Sequence, residues 1–537
     1  GRSAGNGYIV TGSNNIMLGY GSQLSSTSVS NEVVIGDNNI TKFRIPGLNF
    51  SIKDSTATDN YVLTVDANGD AGWEAAAGGG LTSDSQYNTV AGTNAGDAFS
   101  GTSAQYNTLF GYDAGTDITT ADENTAFGSF AAANITTGAR NSTLGYGAGM
   151  NLTTGSDNVA IGYSSLYNNT DGSQNICIGK GAGKDMQSGS QNTLIGYQSG
   201  DSLNGGARNV AVGATAFRYI KSTSSDNIAI GSEALVGTYN NNSPARCIAI
   251  GTKALEDIQD GTDNVVIGHN SGKEITSGNT NTAVGSSALK VNTTASYNTA
   301  LGCEALEANT TSGELTAVGY QALHSNTTGA RNTAVGFKAL EANTVGGYCT
   351  AVGRSVLTNS AGNHNTGIGH NTLYSLTTGA NNTCIGSETG YTLTTGSNNT
   401  VIGYDSYTSA ANVSNEVTLG NSSISTLRCN TQTISSLSDR RDKTDINTLD
   451  LGLEFIDSLF PVKFKWETRD GNGKDGLYEA GFIAQDLQQT QKDNDADYLG
   501  LVMDSNPDRL EASYGKLVPI LVKAIQELKQ EIELLKN

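Results

Sequence analysis

The sequence predicts a mainly β protein. A β-solenoid, or β-roll, shaft of 17-residue coils is followed by a small α+β domain that ends in a coiled-coil helix. Three observations carry this expectation. Five-residue units such as Asn-Thr-Ala-Val-Gly recur at a nearly fixed spacing over most of the chain. Composition changes sharply near Leu437/Ser438. The last segment carries apolar residues at alternating steps of four and three.

The repeat is the strongest signal. Its closing glycines run from Gly92 to Gly420, and fifteen of the nineteen intervals between them are 17 residues. A fixed period of this kind marks a solenoid. Just before each Gly stands an apolar residue, usually Val, Ile or Leu; two before it a small residue, most often Ala. Three before it stands Thr, Val or Ile in every unit except Ser142, and four before it Asn in 16 of 20 units. β-Branched residues on alternate positions indicate a strand, and the Gly permits the tight turn that ends it. A second patch, often Ala-Leu as in Ala288–Leu289 and Ala305–Leu306, predicts a second short strand, so each coil reads as two strands and two turns. The recurring Asn is expected to stack as a hydrogen-bonded ladder. At about 4.8 Å per coil, twenty coils span roughly 100 Å. Charge is scarce on both strand faces, so both are expected to be covered. The small residue is expected on a second, outward face that lets other chains approach, which implies a homotrimer. The unit is similar to the head repeats of trimeric bacterial adhesins and to repeats of large-virus and phage fibres.

The remaining segments follow from this frame. Residues 1–36 read as the end of a preceding β-solenoid. Ser30-Asn31-Glu32-Val33 matches Ser414-Asn415-Glu416-Val417 at an offset of 384. Residues 37–80 are a non-repeat β segment and linker, with strand signals at Phe43–Ile52 and Tyr61–Val65, an Asn68-Gly69 turn, and a joint at Ala75–Gly80. Residues 81–420 are the repeat shaft, 421–437 a connector, and 438–537 a separate domain.

Composition sets the exclusions. The 537 residues carry 31 basic and 51 acidic side chains, a net charge of −20, which disfavours nucleic acid as partner. No apolar run is long enough to insert into a membrane. Charged residues are 33 of the last hundred but scarce before them, so a domain boundary falls at the break. Cys177, Cys247, Cys303, Cys349, Cys384 and Cys429 are widely spaced and read as small buried side chains in a reducing compartment. No metal site and no cofactor are expected. Asp66–Asp70 and Asp470–Asp475 read as turns, the Asn-x-Thr sequons as turn chemistry, and Tyr391, Tyr404 and Tyr407 as packing residues.

The last hundred residues carry four ordered motifs. These are Ser-Asp-x-Arg-x-Lys-x-x-Ile at 438–446, Pro-Val-x-Phe-x-Trp at 461–466, Gly-Phe-Ile-Ala-Gln at 481–485 and Tyr-x-x-Leu-x-Pro at 514–519. Leu521, Ile525, Leu528, Ile532 and Leu535 then form a heptad seam that permits a trimer. Together these motifs resemble the endosialidase-type intramolecular chaperone that ends many phage tail spikes and fibres. The resemblance implies a domain that trimerises, assists folding of the fibre ahead of it and cuts itself off. It implies a cut at the Leu437–Ser438 bond, with Ser438 as nucleophile, Lys443 as general base, and Asp439 and Arg441 in support. The residue inventory agrees: His269, His324, His364 and His370 are the four histidines, so the domain itself has none for a Ser-His-Asp triad. A lysine is a base only when neutral. At the usual pKa near 10.4 about one in 2,500 is neutral at pH 7, so burial or a nearby cation such as Arg440 or Arg441 is required.

The reading is therefore a viral tail fibre, folded in the host cytoplasm and carried on the virion. It would be a homotrimer that attaches to a host cell-surface receptor, a glycan by preference. The rival readings are a bacterial or cellular trimeric surface adhesin and a tail-spike enzyme that degrades glycan. Apart from the single self-directed Ser-Lys cut, no turnover enzyme is expected in the shaft.

Overall fold

The computed structural model describes the chain except residues 1–10, 20, 21, 25, 27, 29, 31, 36–60, 66–70, 76–82, 100–102, 221–223, 239–241, 425, 429–437, 468–474, 505–507, 509 and 537. Two units separate at Gly80/Leu81.

In the first unit, strands Ile16–Leu18 and Val33–Ile35 pair in parallel at an offset of 17 residues. Glu32 N donates to Asn15 Oδ1 at 2.8 Å. The same bond recurs 384 residues on, where Glu416 N donates to Asn399 Oδ1 at 3.0 Å. The early strand pair thus shares the 17-residue offset and the Asn-to-backbone bond of the later coils. Strands Tyr61–Val65 and Ala71–Ala75 pair antiparallel, with Leu63 opposite Trp73. The Phe43–Ile52 segment, the Asp66–Asp70 turn and the 470–474 turn residues lie outside the described residues.

The second unit opens with twenty three-residue strands, from Thr89–Ala91 to Val417–Leu419. Each pairs in parallel with the next, so that Thr282, Ala283 and Val284 stand against Thr299, Ala300 and Leu301. The first strand pairs with Thr108–Phe110 and the last with Thr400–Ile402, so the ladder extends coil by coil. Gly sits at each strand end for two reasons. Gly285 has φ +139°, and a Cβ there would lie 2.4 Å from the Gly302 carbonyl oxygen of the next coil.

The interior corrects the expected facing of the strand. The small middle residue points into its own coil: Ala300 is fully buried, and the Val, Ile or Leu beside the Gly points out, Leu301 being 47% exposed. The inward Ala packs against the turn leucines, such as Leu289 and Leu306, which are also fully buried. The centre of a coil is filled by a strand residue, most often Ala, together with the turn Ala and Leu, as with Ala300, Ala305 and Leu306, so the residues flanking the middle one are left outside. One strand face is thus uncovered in the single chain, and it is the β-branched face.

The second strand of each coil does not form. Ser287 and Leu289 adopt φ +56° and +54°, so the Ala-Leu patch bends instead of extending. It still bonds between coils, with Leu289 N donating to Ala305 O at 2.9 Å. Left-handed backbone costs about 1–2 kcal/mol at an L-residue. Burying the leucine side chain returns about 1.5–3 kcal/mol, which offsets it.

The asparagine ladder forms as expected. Asn141 N and Nδ2 both donate to Asn124 Oδ1, at 2.9 and 3.1 Å, and Nδ2 also donates to Gly155 O at 2.9 Å. Cys247 and Cys349 occupy ladder positions, and their backbone N–H groups still bond Asn227 and Asn332. Cys177, Cys247, Cys349 and Cys384 are buried free thiols, and burial pushes all four upward in pKa. Cys303 is exposed, because it follows its Gly on the outward side of the turn, and Cys429 is outside the described residues. Tyr391 stacks on Tyr374 with ring centres 5.3 Å apart, and the Tyr407 hydroxyl bonds Asp405. Tyr404 is 67% exposed.

The last hundred residues fold as α+β. Helix α1 (Leu453–Asp457) is shorter than the apolar pattern over Leu449–Leu459 suggested. Strands Val462–Lys465 and Tyr478–Gly481 pair antiparallel. Helix α2 (Ala484–Asp493) follows, then helix α3 (Val518–Lys536) closes the chain. Pro519 lies in the first turn of α3, where its missing N–H breaks no helical bond. Phe455, Leu487, Leu501, Leu517 and Ile520 form the core.

Candidate functional site

The first motif is a compact turn. Asp439 caps a 3₁₀ helix over Arg440–Asp442, its Oδ1 accepting from Arg441 N at 2.8 Å. Lys443 N closes the turn on Arg440 O at 3.2 Å. This reversal brings residues five apart together: Lys443 Nζ donates to Ser438 Oγ at 2.5 Å. Both side chains are exposed in the single chain.

Asp439 and Arg441 act on each other. Arg441 Nη2 stands 2.6 Å from Asp439 Oδ2. Side-chain and backbone hydrogen bonds from Arg441 hold the Asp439 carboxyl below the usual range. The two expected supporting residues, Asp439 and Arg441, therefore pair with each other. Their ion pair fixes the turn that presents the Ser-Lys pair. Leu437, the other side of the expected scissile bond, lies outside the described residues.

The second, third and fourth motifs meet in one place. Val462 pairs with Gly481 across the hairpin. The Tyr514 hydroxyl accepts from Phe482 N at 3.1 Å and lies 3.3 Å from Phe482 O. The Phe482 and Tyr514 rings pack edge to face at 5.6 Å. Beside them opens an apolar groove of about 390 Å³ lined by Ile456, Leu459, Phe482, Leu517 and Leu521 among others. The sequence carried no sign that Tyr514 would close on residues 481 and 482, which lie more than thirty positions earlier.

Helix α3 has two faces. Ile520 and Ala524 are buried against the domain's own core. Leu521, Ile525, Leu528, Ile532 and Leu535 all point outward, Ile525 being 65% exposed. Glu527 ties α3 to α1, its Oε2 accepting from Leu453 N at 2.7 Å, a link sequence spacing did not reveal.

A parallel β-solenoid joined to a small α+β domain that ends in a two-faced helix is the build of a fibre with a folding module at its end. Residues 438–495 match the family model described as chaperone of endosialidase, and the match begins at Ser438. Residues 438–495 are thus similar to the chaperone-of-endosialidase family, and they follow a β-solenoid, a combination that matches a tail fibre or tail spike. No curated protein and no solved structure matches the chain. Among the described residues, no helix is long and apolar enough to cross a membrane.

Proposed function

We propose that the chain is a homotrimeric phage tail fibre that attaches to a glycan on the host surface, and that its C-terminal domain drives trimerisation and then severs Leu437–Ser438. The observation that carries the reading is the Lys443 Nζ to Ser438 Oγ hydrogen bond at the first residue of the family match. A serine hydroxyl within hydrogen-bond reach of an amine becomes an activated nucleophile once that amine is neutral and accepts its proton.

The chemistry is written with all atoms in balance. Ser438 Oγ attacks the Leu437 carbonyl carbon while its proton passes to neutral Lys443 Nζ. The C–N bond then breaks, and the proton is returned to the Ser438 nitrogen. This leaves Leu437 esterified to Oγ. Water hydrolyses that ester, giving a shaft that ends at Leu437 and a domain that begins at Ser438. The lysine must be neutral, and exclusion of water by neighbouring subunits is the means of making it so. Cleavage then reports that assembly is complete.

Two uncovered apolar faces support the trimer. One is the α3 seam. The other is the β-branched strand face, a row that includes Leu301, Ile368, Ile385 and Ile402, each exposed by about two-fifths or more. Monomers rarely leave so long an apolar surface in water. Parallel strands with non-local pairing fold slowly, which gives a chaperone its purpose. Its removal leaves the fibre held by kinetic stability.

The test is Ser438→Ala. Wild type is expected to release a fragment of roughly 10 kDa, the last hundred of 537 residues at 55.5 kDa in all, and the variant a single uncut band. Continued cleavage of the variant between residues 437 and 438 would sink the mechanism.

A further inference from the structure

The shaft carries a column of charged side chains five residues after successive glycines. Lys290 pairs with Glu307 at 3.1 Å, and upstream Lys273 pairs with Glu256 at 3.5 Å. At one point the pairing runs short of cations. Glu304, Glu307 and His324, from two adjacent coils, bring two carboxylates and an imidazole within 4.8 Å of one another. Glu307 Oε1 is held by Lys290, while its Oε2 stands 3.1 Å from His324 Nε2. Glu304 meets no cation. Its Oε2 accepts from Gln321 Nε2 at 2.6 Å. All three residues are half-buried.

An orphaned atom marks the same place. Gln321 Oε1 is buried and accepts no hydrogen bond. Its own Nε2 is fixed by Glu304, so the amide cannot turn to relieve it without placing oxygen against oxygen. Buried acceptors are rarely left empty. A water bound to a cation in this cluster would be a donor at the right spot.

We propose that Glu304, Glu307 and His324 bind a divalent first-row transition metal of the zinc class, with a water in the fourth position that donates to Gln321 Oε1. One imidazole nitrogen and two carboxylate oxygens form a borderline ligand set, better suited to zinc than to magnesium or calcium. Ligand atoms of a tetrahedral zinc site lie about 3.3 Å apart when the bonds are about 2.0–2.2 Å. The Glu307–His324 pair stands at 3.1 Å, close to that separation, and the three ligand atoms all lie within 4.8 Å of one another. The outer contacts are in place. Ser325 Oγ lies 3.3 Å from His324 Nδ1, so it can accept the Nδ1 proton and leave the Nε2 lone pair for the metal. Lys290 keeps Glu307 oriented through the oxygen the metal does not use. The ion ties two consecutive coils together across a site where carboxylates outnumber cations.

The test is zinc chloride titration of the full chain, stripped of metal by a chelator and followed by calorimetry. One zinc per chain is expected. His324→Ala and Glu304→Gln should each weaken binding at least about tenfold, while His370→Ala should not. Cobalt chloride should give the intense visible band of a four-coordinate site, lost in His324→Ala. Circular dichroism of each variant separates loss of ligand from loss of fold. Zinc affinity that is absent, or unchanged in a folded His324→Ala, overturns the proposal, as does magnesium binding equal to that of zinc.

Discussion

The Tyr514 hydroxyl lies 2.7 Å from the point where a Cβ on residue 481 would sit. Gly481 is therefore required for a steric reason: the hydroxyl is already bonded to Phe482 and cannot withdraw freely. Gly481→Ala is expected to destabilise the C-terminal domain by about 1–3 kcal/mol through overpacking. Urea unfolding followed by tryptophan fluorescence of Trp466 measures it. A midpoint unchanged from wild type would show that Tyr514 moves aside at no cost.

Lys443→Arg separates charge from basicity. The guanidinium keeps the positive charge but does not give up its proton in a protein. The variant should assemble to the wild-type mass by light scattering and yet show no fragment on a denaturing gel. Cleavage at the wild-type rate would remove Lys443 from the reaction.

The outward strand face should respond to charge only on assembly. Ile402 is 41% exposed and its neighbour Val401 is fully buried. Ile385→Glu with Ile402→Glu should leave the single coil intact, since those side chains already meet water, but should lower the assembled fraction. A trimer that persists in the double variant would place the interface elsewhere.

The ladder should tolerate loss of polarity better than gain of charge. Asn281 Nδ2 donates to Ala295 O at 2.9 Å, and its Oδ1 accepts from Asn298 N at 3.0 Å. Asn281→Ala is expected to cost about 1–3 kcal/mol for the groups left unpaired. Asn281→Asp should cost more, because it buries a carboxylate that cannot donate. Asn281→Cys should cost least, since Cys247 and Cys349 already hold such positions. Thermal unfolding of the three variants ranks them, and an Asp variant as stable as the Cys variant would contradict the ladder.

Acid should loosen α1 from α3. The Leu453 N–H, and then Lys523, lower the pKa of Glu527 below its ordinary value of 4.5. A depressed carboxyl contributes stability above the unfolded-state pKa, and that contribution fades as pH falls through the folded-state value. Glu527→Gln should remove this acid dependence, as read from helicity against pH below 4.5. An identical profile in the variant would assign the loss to another group.

The period and the asparagine column were legible in the sequence because each coil repeats the same local demand. Gly285 must turn and also admit the Gly302 carbonyl, and Asn141 must bond the coil before it; these demands leave a residue signature. The facing of the strand was not legible. Alternation of Thr, Ala and Val shows that two faces exist but not which one is inside. The choice depends on the cross-section of a 17-residue coil, where Ala300 shares the interior with Ala305 and Leu306. The Ala-Leu patch misled for a related reason. Its composition suits a strand, but the corner needs Leu289 at positive φ to swing its side chain inward. In the terminal domain the first motif holds Ser438 and Lys443, which the turn brings together. The Asp439–Arg441 ion pair and the reach of Glu527 depend on rotamers and on helix docking, which spacing does not encode.

Glu416 carries one more consequence. Cys247, Leu315 and Cys349 interrupt the asparagine column with uncharged side chains, and the stack continues past each of them. Glu416 turns its carboxylate onto Ser409 and Thr418. It thus places a carboxylate where the rungs before it carry neutral side chains. An in-register parallel stack is otherwise a template that any compatible strand can extend, and a charge at the edge is how natural sheets discourage that growth. Because Glu32 stands at the matching place in the earlier segment, two strands of the chain carry a carboxylate where most rungs carry an amide.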